Sequence, residues 1–191
     1  MERNPLKKML EIRWHGRGGQ GAWTASELLA RAAVYEGKYI QSFPEFGPER
    51  MGAPVAAFTR ISTEPTRIHC AVYNPDVVAV LDPTLLKTVP VADGLDSEGD
   101  IIVNSKDSPV EIRKILNTDK GKVWSVPATD IAIKVLGAPI TNTALLGAVA
   151  RVTGIVSLES MEKIVRERFR KDIAEKNFVV VKEAYREVRS E

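Results

Sequence analysis

Three short stretches constrain this chain most: DVVAVLDP (76–83) and DIIVNS (100–105), apolar runs of strand length, and GKVWSVPA (121–128), a further clear strand, each bounded by polar, proline or glycine residues. A strand that alternates apolar and polar residues keeps one wet face. A run without alternation is covered on both faces, as in a parallel sheet held between two layers of helices. Parallel neighbours need crossover connections, and helix-start signals stand where the crossovers must begin. Asp82 is placed to cap a helix with Pro83 at its first position, Ser108-Pro-Val-Glu111 has the spacing of a capping box, and Thr129 is placed to cap a helix ending at Gly137.

The N-terminal part follows the same rhythm. Residues 9–14 read as a strand that stops at glycine, and residues 22–36 carry Ala22, Ala25, Leu29, Ala32 and Ala33 on one helical stripe. Gly37 suits the end of that helix, and 38–43 reads as a second strand, giving a β–α–β opening. The segment PEFGPERMGAP (44–54) is an exposed loop by its proline and glycine content. Residues 55–61 and 67–72, separated by STEPT, read as a hairpin inserted into the alternation. Helical patterns then occupy 142–152, 158–170 and 173 to about 188. The expected architecture is a three-layer α/β/α sandwich, mostly parallel, with at least one antiparallel strand pair and a helical C-terminal region. With no repeat and no linker, it is read as one domain over 1–191.

Composition removes several classes of function. A chain of 191 residues with 44% apolar content can bury one core, and 27 basic against 25 acidic residues leave a net charge of +2. Neither nucleic acid nor an anionic membrane is called for. The acidic residues of 75–100 read as a solvated edge. A single cysteine, Cys70, excludes an intramolecular disulfide and any all-cysteine iron–sulfur or zinc site held by this chain alone, and His15 and His69 do not make a metal site. The start has no long apolar run, so neither a secretory signal nor a membrane anchor is expected, and the setting is read as cytoplasmic. No Ser/His/Asp arrangement or carboxylate pair appears, so no catalytic residue is assigned.

Gly16-Arg17-Gly18-Gly19-Gln20-Gly21 satisfies the G-x-G-x-x-G spacing between a strand and a helix, where backbone amides and the helix N-terminus can cradle an anion and Arg17 can add a full charge. A dinucleotide loop also asks for an acidic residue at the end of the second strand. Here that strand ends in Gln41-Ser42, and Glu45 lies beyond Pro44. Three readings stay open: a phosphate or cofactor contact, a loop that meets a partner chain, and a tight turn alone. The functional alternatives they carry are a free-standing NAD(P)-binding oxidoreductase of Rossmann type and a non-enzymatic nucleotide-binding scaffold.

GRGGQGAWTASELLARAA, FPEFGPERMGAPVAAFTRIS, PDVVAVLD, VPATDIAIKVLG and TNTALLGAVA occur in this order over roughly residues 8 to 170. Together they resemble the gamma subunit of the 2-oxoacid:ferredoxin oxidoreductases, most nearly the pyruvate form. The resemblance implies a subunit, inactive alone, of a complex that decarboxylates a 2-oxoacid on thiamine diphosphate, passes electrons through iron–sulfur clusters to ferredoxin, and delivers the acyl group to coenzyme A. Thiamine diphosphate, magnesium and the clusters are implied to lie in alpha, beta and delta-type partners. Gly16, Gly18, Gly19, Gln20 and Gly21 match the first family signature; Glu45, Gly47, Pro48, Glu49, Arg50 and Gly52 match the second. Arg17 and Met51 are positions of expected variation. The final helix, NFVVVKEAYREV, departs most from the family's pattern.

The candidate sites are therefore the loop 16–21 for a coenzyme A phosphate or another anion, and Glu45, Glu49, Arg50 and Asn142 for an interface or active-site edge. Asn142 is read either as a helix cap or as pointing to a partner. His15 could serve a phosphate, but a hydrogen-bonded strand-end histidine is the favoured reading. Asp82 is read as a cap, and Cys70, despite its neighbour His69, as a buried inert thiol in a strand.

Overall fold

β1 (Met9–Arg17) leads through α1 (Ala22–Val34) to β2 (Tyr39–Pro44) and β3 (Pro54–Ser62). There follow β4 (Val77–Val80), a 3-10 turn (Pro83–Lys87), β5 (Asp100–Asn104), α2 (Pro109–Leu116), β6 (Lys122–Val126) and α3 (Ala128–Leu136). The chain finishes with α4 (Asn142–Thr153), α5 (Leu158–Arg168), α6 (Lys171–Glu187) and β7 (Arg189–Ser190). This computed structural model describes residues 8–45 and 51–191. The strands form one seven-stranded sheet in the order β2-β3-β1-β4-β5-β6-β7. β1, β4, β5 and β6 are joined in parallel. β2 is antiparallel to β3, which is antiparallel to β1, so β2 runs with the parallel set and only β3 and β7 oppose it.

Unbroken apolar runs have become strands covered on both faces. On β4, Val77 and Ala79 join the core under the helices, whereas Val78 and Val80 join a second core on the opposite face with Leu85, Leu86, Ile112 and Val123. The first face carries α1, α3, α4, α5 and α6; the second carries α2, the 3-10 turn and the loops around them. The sandwich therefore has three layers, and the second is the thinner. In α4 every residue from Asn142 to Ala150 is buried. Contacts between Thr143 and Asn177 and between Gly147 and Val181 set α4 parallel to α6, with α5 as the crossover.

The hairpin expected from 55–61 and 67–72 does not form. β3 inserts between β2 and β1, so both of its edges are taken and 67–72 cannot pair with it as a hairpin would. That segment instead lies over the second face, with Val72 against Ala56 and Phe58. Cys70 is accordingly exposed, and an Nη of the buried Arg60 stands 3.9 Å from its sulfur. The helix expected after Asp82 is only the 3-10 turn, although the cap is real: Asp82 Oδ1 accepts from the Thr84 amide at 2.9 Å. The capping box at Ser108 forms as expected. Thr129 is not a cap. It lies inside α3, where its amide donates to Asn104 Oδ1 at 3.1 Å and its hydroxyl accepts from Asn104 Nδ2 at 2.9 Å, tying α3 to the end of β5. Of the acidic stretch 75–100, Asp93, Asp96 and Glu98 are solvated, but Asp76 is buried and its Oδ2 accepts from the Glu11 amide at 2.9 Å.

Candidate functional site

Consecutive parallel strands extend the sheet in opposite directions from β1: toward β2 through α1, and toward β4, β5 and β6. The crevice beyond the carboxyl ends of β1 and β4 is the place where such sheets bind ligands. The glycine loop leaves β1 there, and Asp82 leaves β4 beside it.

The loop is latched onto its surroundings. Gln20 Oε1 accepts from the Arg17 amide at 2.8 Å, and Gln20 Nε2 donates to Asp82 Oδ2 at 2.8 Å. Arg17 Nε donates to the same Asp82 oxygen at 3.1 Å, while its other nitrogens reach Thr84 Oγ1 at 2.9 Å and the Gly52 carbonyl at 3.1 Å. The Gly18 amide donates to the Ala53 carbonyl at 2.9 Å, and the Gly52 amide donates to the Gly18 carbonyl at 3.1 Å, which extends the β1–β3 ladder into the loop. Partial burial pushes the Asp82 carboxyl up, but hydrogen bonds from Thr84 and Gln20 and the Arg17 charge outweigh it, and its pKa is lowered. Asp82 is thus a cap, as read from the sequence, and also the acceptor that holds Arg17 and Gln20.

Two glycines have mechanical reasons. A Cβ at Gly16 would stand 3.3 Å from the Ala22 Cβ, a crowded contact that would push the start of α1 away by a few tenths of an ångström. Gly21 has φ +80°, and a Cβ there would stand 2.7 Å from Asn142 Nδ2. Asn142 is neither the cap of α4, which is Thr141, nor an outward-pointing group; it is buried against Gly21, and its Oδ1 accepts from the Thr143 amide at 2.8 Å. The structure thus joins the loop to Asn142. Glu45 is exposed at the end of β2, while Glu49 and Arg50, with Gly47 and Pro48, lie outside the described residues.

The first turn of α1 holds no acidic residue, and no side chain caps it. The amides of Arg17, Gly18 and Gln20 are engaged within the chain, so an anion at this end would have to meet the first turn of α1 and the remaining loop amides. Exposed apolar side chains that the sequence reading did not single out occur in the segments that build this end: Trp23 in the first turn of α1, Ile140 two residues before Asn142, and Met51, 94% exposed with its Cγ 4.0 Å from where a Gly19 Cβ would lie.

His15 is no acid for this site. Its Nε2 accepts from Arg13 Nε at 3.0 Å, and burial, then the Arg13 charge, pushes its pKa down from 6.5 to about 3. The favoured reading, a hydrogen-bonded strand-end histidine, matches this geometry. At the end of β2, Ser42 is bonded to Ser26, Oγ to Oγ at 2.9 Å, on the side where a dinucleotide-binding strand would offer a carboxylate. Among the described residues no group of three or more His, Cys, Asp or Glu is placed to hold a metal, and no helix is long and apolar enough to cross a membrane.

The layers, strand order and glycine loop define an α/β domain of the doubly wound type with one strand inserted antiparallel. Residues 11–187 match the profile of the pyruvate ferredoxin/flavodoxin oxidoreductases, and the chain belongs to that family. It is 54% identical over 177 residues to the pyruvate/ketoisovalerate oxidoreductases common subunit gamma of Pyrococcus furiosus, covering 93% of this chain and 96% of the relative. It is 47% identical over 180 residues to the pyruvate synthase subunit PorC of Methanocaldococcus jannaschii, covering 94% and 97%. Among solved structures, the pyruvate oxidoreductase subunit PORC of Thermotoga maritima superposes with a TM-score of 0.88 at 45% identity, covering 96% of this chain and 99% of that one.

Proposed function

We propose that this chain is the gamma subunit of a 2-oxoacid:ferredoxin oxidoreductase, with pyruvate as substrate, and that it acts in the cytoplasm as part of a complex with alpha, beta and delta-type subunits. One observation carries the reading: likeness to gamma-type subunits runs nearly end to end in both chains, in sequence and in fold. The nicotinamide-dependent and scaffold alternatives draw no support from these relatives. The complex converts a 2-oxoacid and coenzyme A to acyl-CoA and carbon dioxide and reduces ferredoxin. This chain's residues do not fit an iron–sulfur cluster, because Cys70 is its single cysteine. Thiamine diphosphate, magnesium and the clusters are assigned to the partners.

In this reading the end of the fold bearing the glycine loop, Trp23, Met51, Ile140 and Asn142 docks on the thiamine-bearing subunits. Apolar side chains left in water at a loop tied down by hydrogen bonds suit a preformed interface. Purification of the tagged chain from its native lysate tests this: the partners and 2-oxoacid-dependent ferredoxin reduction should come with it. Recovery of the chain without thiamine- and cluster-bearing proteins would refute the reading. The uncapped first turn of α1 at the switch point favours a second role for the same end, contact with the phosphates of coenzyme A. Gly18→Val in the assembled enzyme should then raise KM for coenzyme A more than KM for the 2-oxoacid, and an unchanged KM for coenzyme A would remove this role.

A further inference from the structure

The Asp82 carboxylate accepts four hydrogen bonds. Oδ1 takes the Thr84 amide at 2.9 Å and the Thr84 hydroxyl at 2.6 Å, while Oδ2 takes Gln20 Nε2 at 2.8 Å and Arg17 Nε at 3.1 Å. The donors form two sets. One belongs to the 3-10 turn that Asp82 caps, and the other to the glycine loop, 62 and 65 residues earlier in the chain. A cap needs one oxygen only, so capping leaves the contacts of Oδ2 unexplained.

Arg17 is used up by this arrangement. Its Nε meets Asp82, and its two terminal nitrogens meet the Gly52 carbonyl and Thr84 Oγ1. The loop therefore presents an anion with no free cation at Arg17, although the sequence suggests one. What it presents is backbone: among the described residues no group accepts from the amides of Gly19, Gly21, Ala22, Trp23 or Thr24. Amides in a loop serve a ligand only while the loop keeps its shape, and Gln20 spans the Arg17 amide and Asp82 Oδ2 to keep it.

We propose that Asp82 is a positioning residue for the acyl acceptor: it does not touch coenzyme A, but through Gln20 and Arg17 it fixes the loop in the form whose unpaired amides meet the phosphates. The proposal rests on the coenzyme A role given above to this end of the fold. The charge state of the side chain matters, because all four partners are donors. In Asp82→Asn one of the two oxygens becomes an NH2, which opposes two donors whichever way the amide turns. In Asp82→Ser the hydroxyl can still cap the Thr84 amide, but Gln20 and Arg17 lose their shared acceptor.

The test is steady-state kinetics of the assembled complex carrying Asp82→Ser or Asp82→Asn, with Gly18→Val as the benchmark for the loop's own contact. Gel filtration and thermal unfolding check assembly and fold. Both Asp82 variants should raise KM for coenzyme A about tenfold, the effect of losing one charge-assisted hydrogen bond, while kcat and KM for the 2-oxoacid stay within about twofold. Asp82→Ser should do so with a higher Tm than Asp82→Ala, because it keeps the cap. A merely structural Asp82 would move both KM values and kcat together with Tm; that pattern, or failure of the variant complexes to assemble, would overturn the proposal. If Gly18→Val raises KM for coenzyme A and the Asp82 variants do not, the positioning role falls and the coenzyme A reading stands. If Gly18→Val leaves it unchanged, the coenzyme A reading falls and takes the proposal with it.

Discussion

His15 should set the acid sensitivity of the isolated chain. It ends the part of β1 flanked by Ala56 of β3 and Val80 of β4, is 8% exposed, and receives a hydrogen bond from Arg13 on Nε2. A proton on Nε2 would destroy that bond and place a second cation beside the guanidinium. The folded-state pKa of about 3 lies below the ordinary 6.5, so the unfolded chain binds the proton more readily. The stabilisation is therefore complete above pH 6.5 and is lost progressively as pH falls from 6.5 toward 3. At pH 5 the loss is about 2 kcal/mol, from 1.36 kcal/mol per pKa unit over roughly one and a half units. The carboxyls of Glu36, Asp82, Glu111 and Glu191 are all held below their ordinary values and add a small acid loss of their own, which is the same in wild type and variant and cancels in the comparison. The assay is urea unfolding of the wild type and of His15→Gln at pH 7.5 and pH 5. Glutamine keeps an acceptor for Arg13 and cannot titrate. The wild type should lose about 2 kcal/mol more than the variant between the two pH values. Equal losses would refute the reasoning.

Gly147 packs against the backbone of α6, where a Cβ would fall 2.2 Å from the Val181 carbonyl oxygen. Gly147→Ala should therefore destabilise the chain by about 3 kcal/mol or more in thermal unfolding, although alanine is the better helix former by about 1 kcal/mol. A rise in Tm would show that α4 and α6 do not cross this closely. Asp82→Ala deprives Arg17 and Gln20 of their shared acceptor and the Thr84 amide of its cap, and should cost about 1–3 kcal/mol. Hydrogen exchange at Gly18 and Gly52 should quicken in that variant more than exchange in β5, and uniform quickening would deny the latch.

The parts of this fold that were legible in the sequence are those enforced by local chemistry. The runs at 76–83, 100–105 and 121–128 became buried parallel strands, because only cover on both faces suits them. The capping residues Asp82 and Ser108 act as caps, because a side-chain oxygen two or three positions ahead of a free amide needs no tertiary partner. The failures share a cause. Residues 67–72 have a strand's composition but cannot form the hairpin, since their neighbour in sequence, β3, gives both of its edges to β1 and β2. Thr129 has the chemistry of a cap, but Asn104 from β5 takes its amide and its hydroxyl. β7 is too short to carry a pattern, and the β6 edge and Arg113 hold it in place.

The candidate site divides in the same way. Its glycines were visible because a strand-to-helix turn with a close helix demands them, and the motifs spread along the chain were enough to place it in its family. The latch through Asp82, the approach of Asn142 to Gly21 and the place of Met51 beside Gly19 belong to the tertiary structure alone. Each joins residues far apart in the chain, and no local propensity encodes which strand ends, helix starts or edges will meet when the layers close.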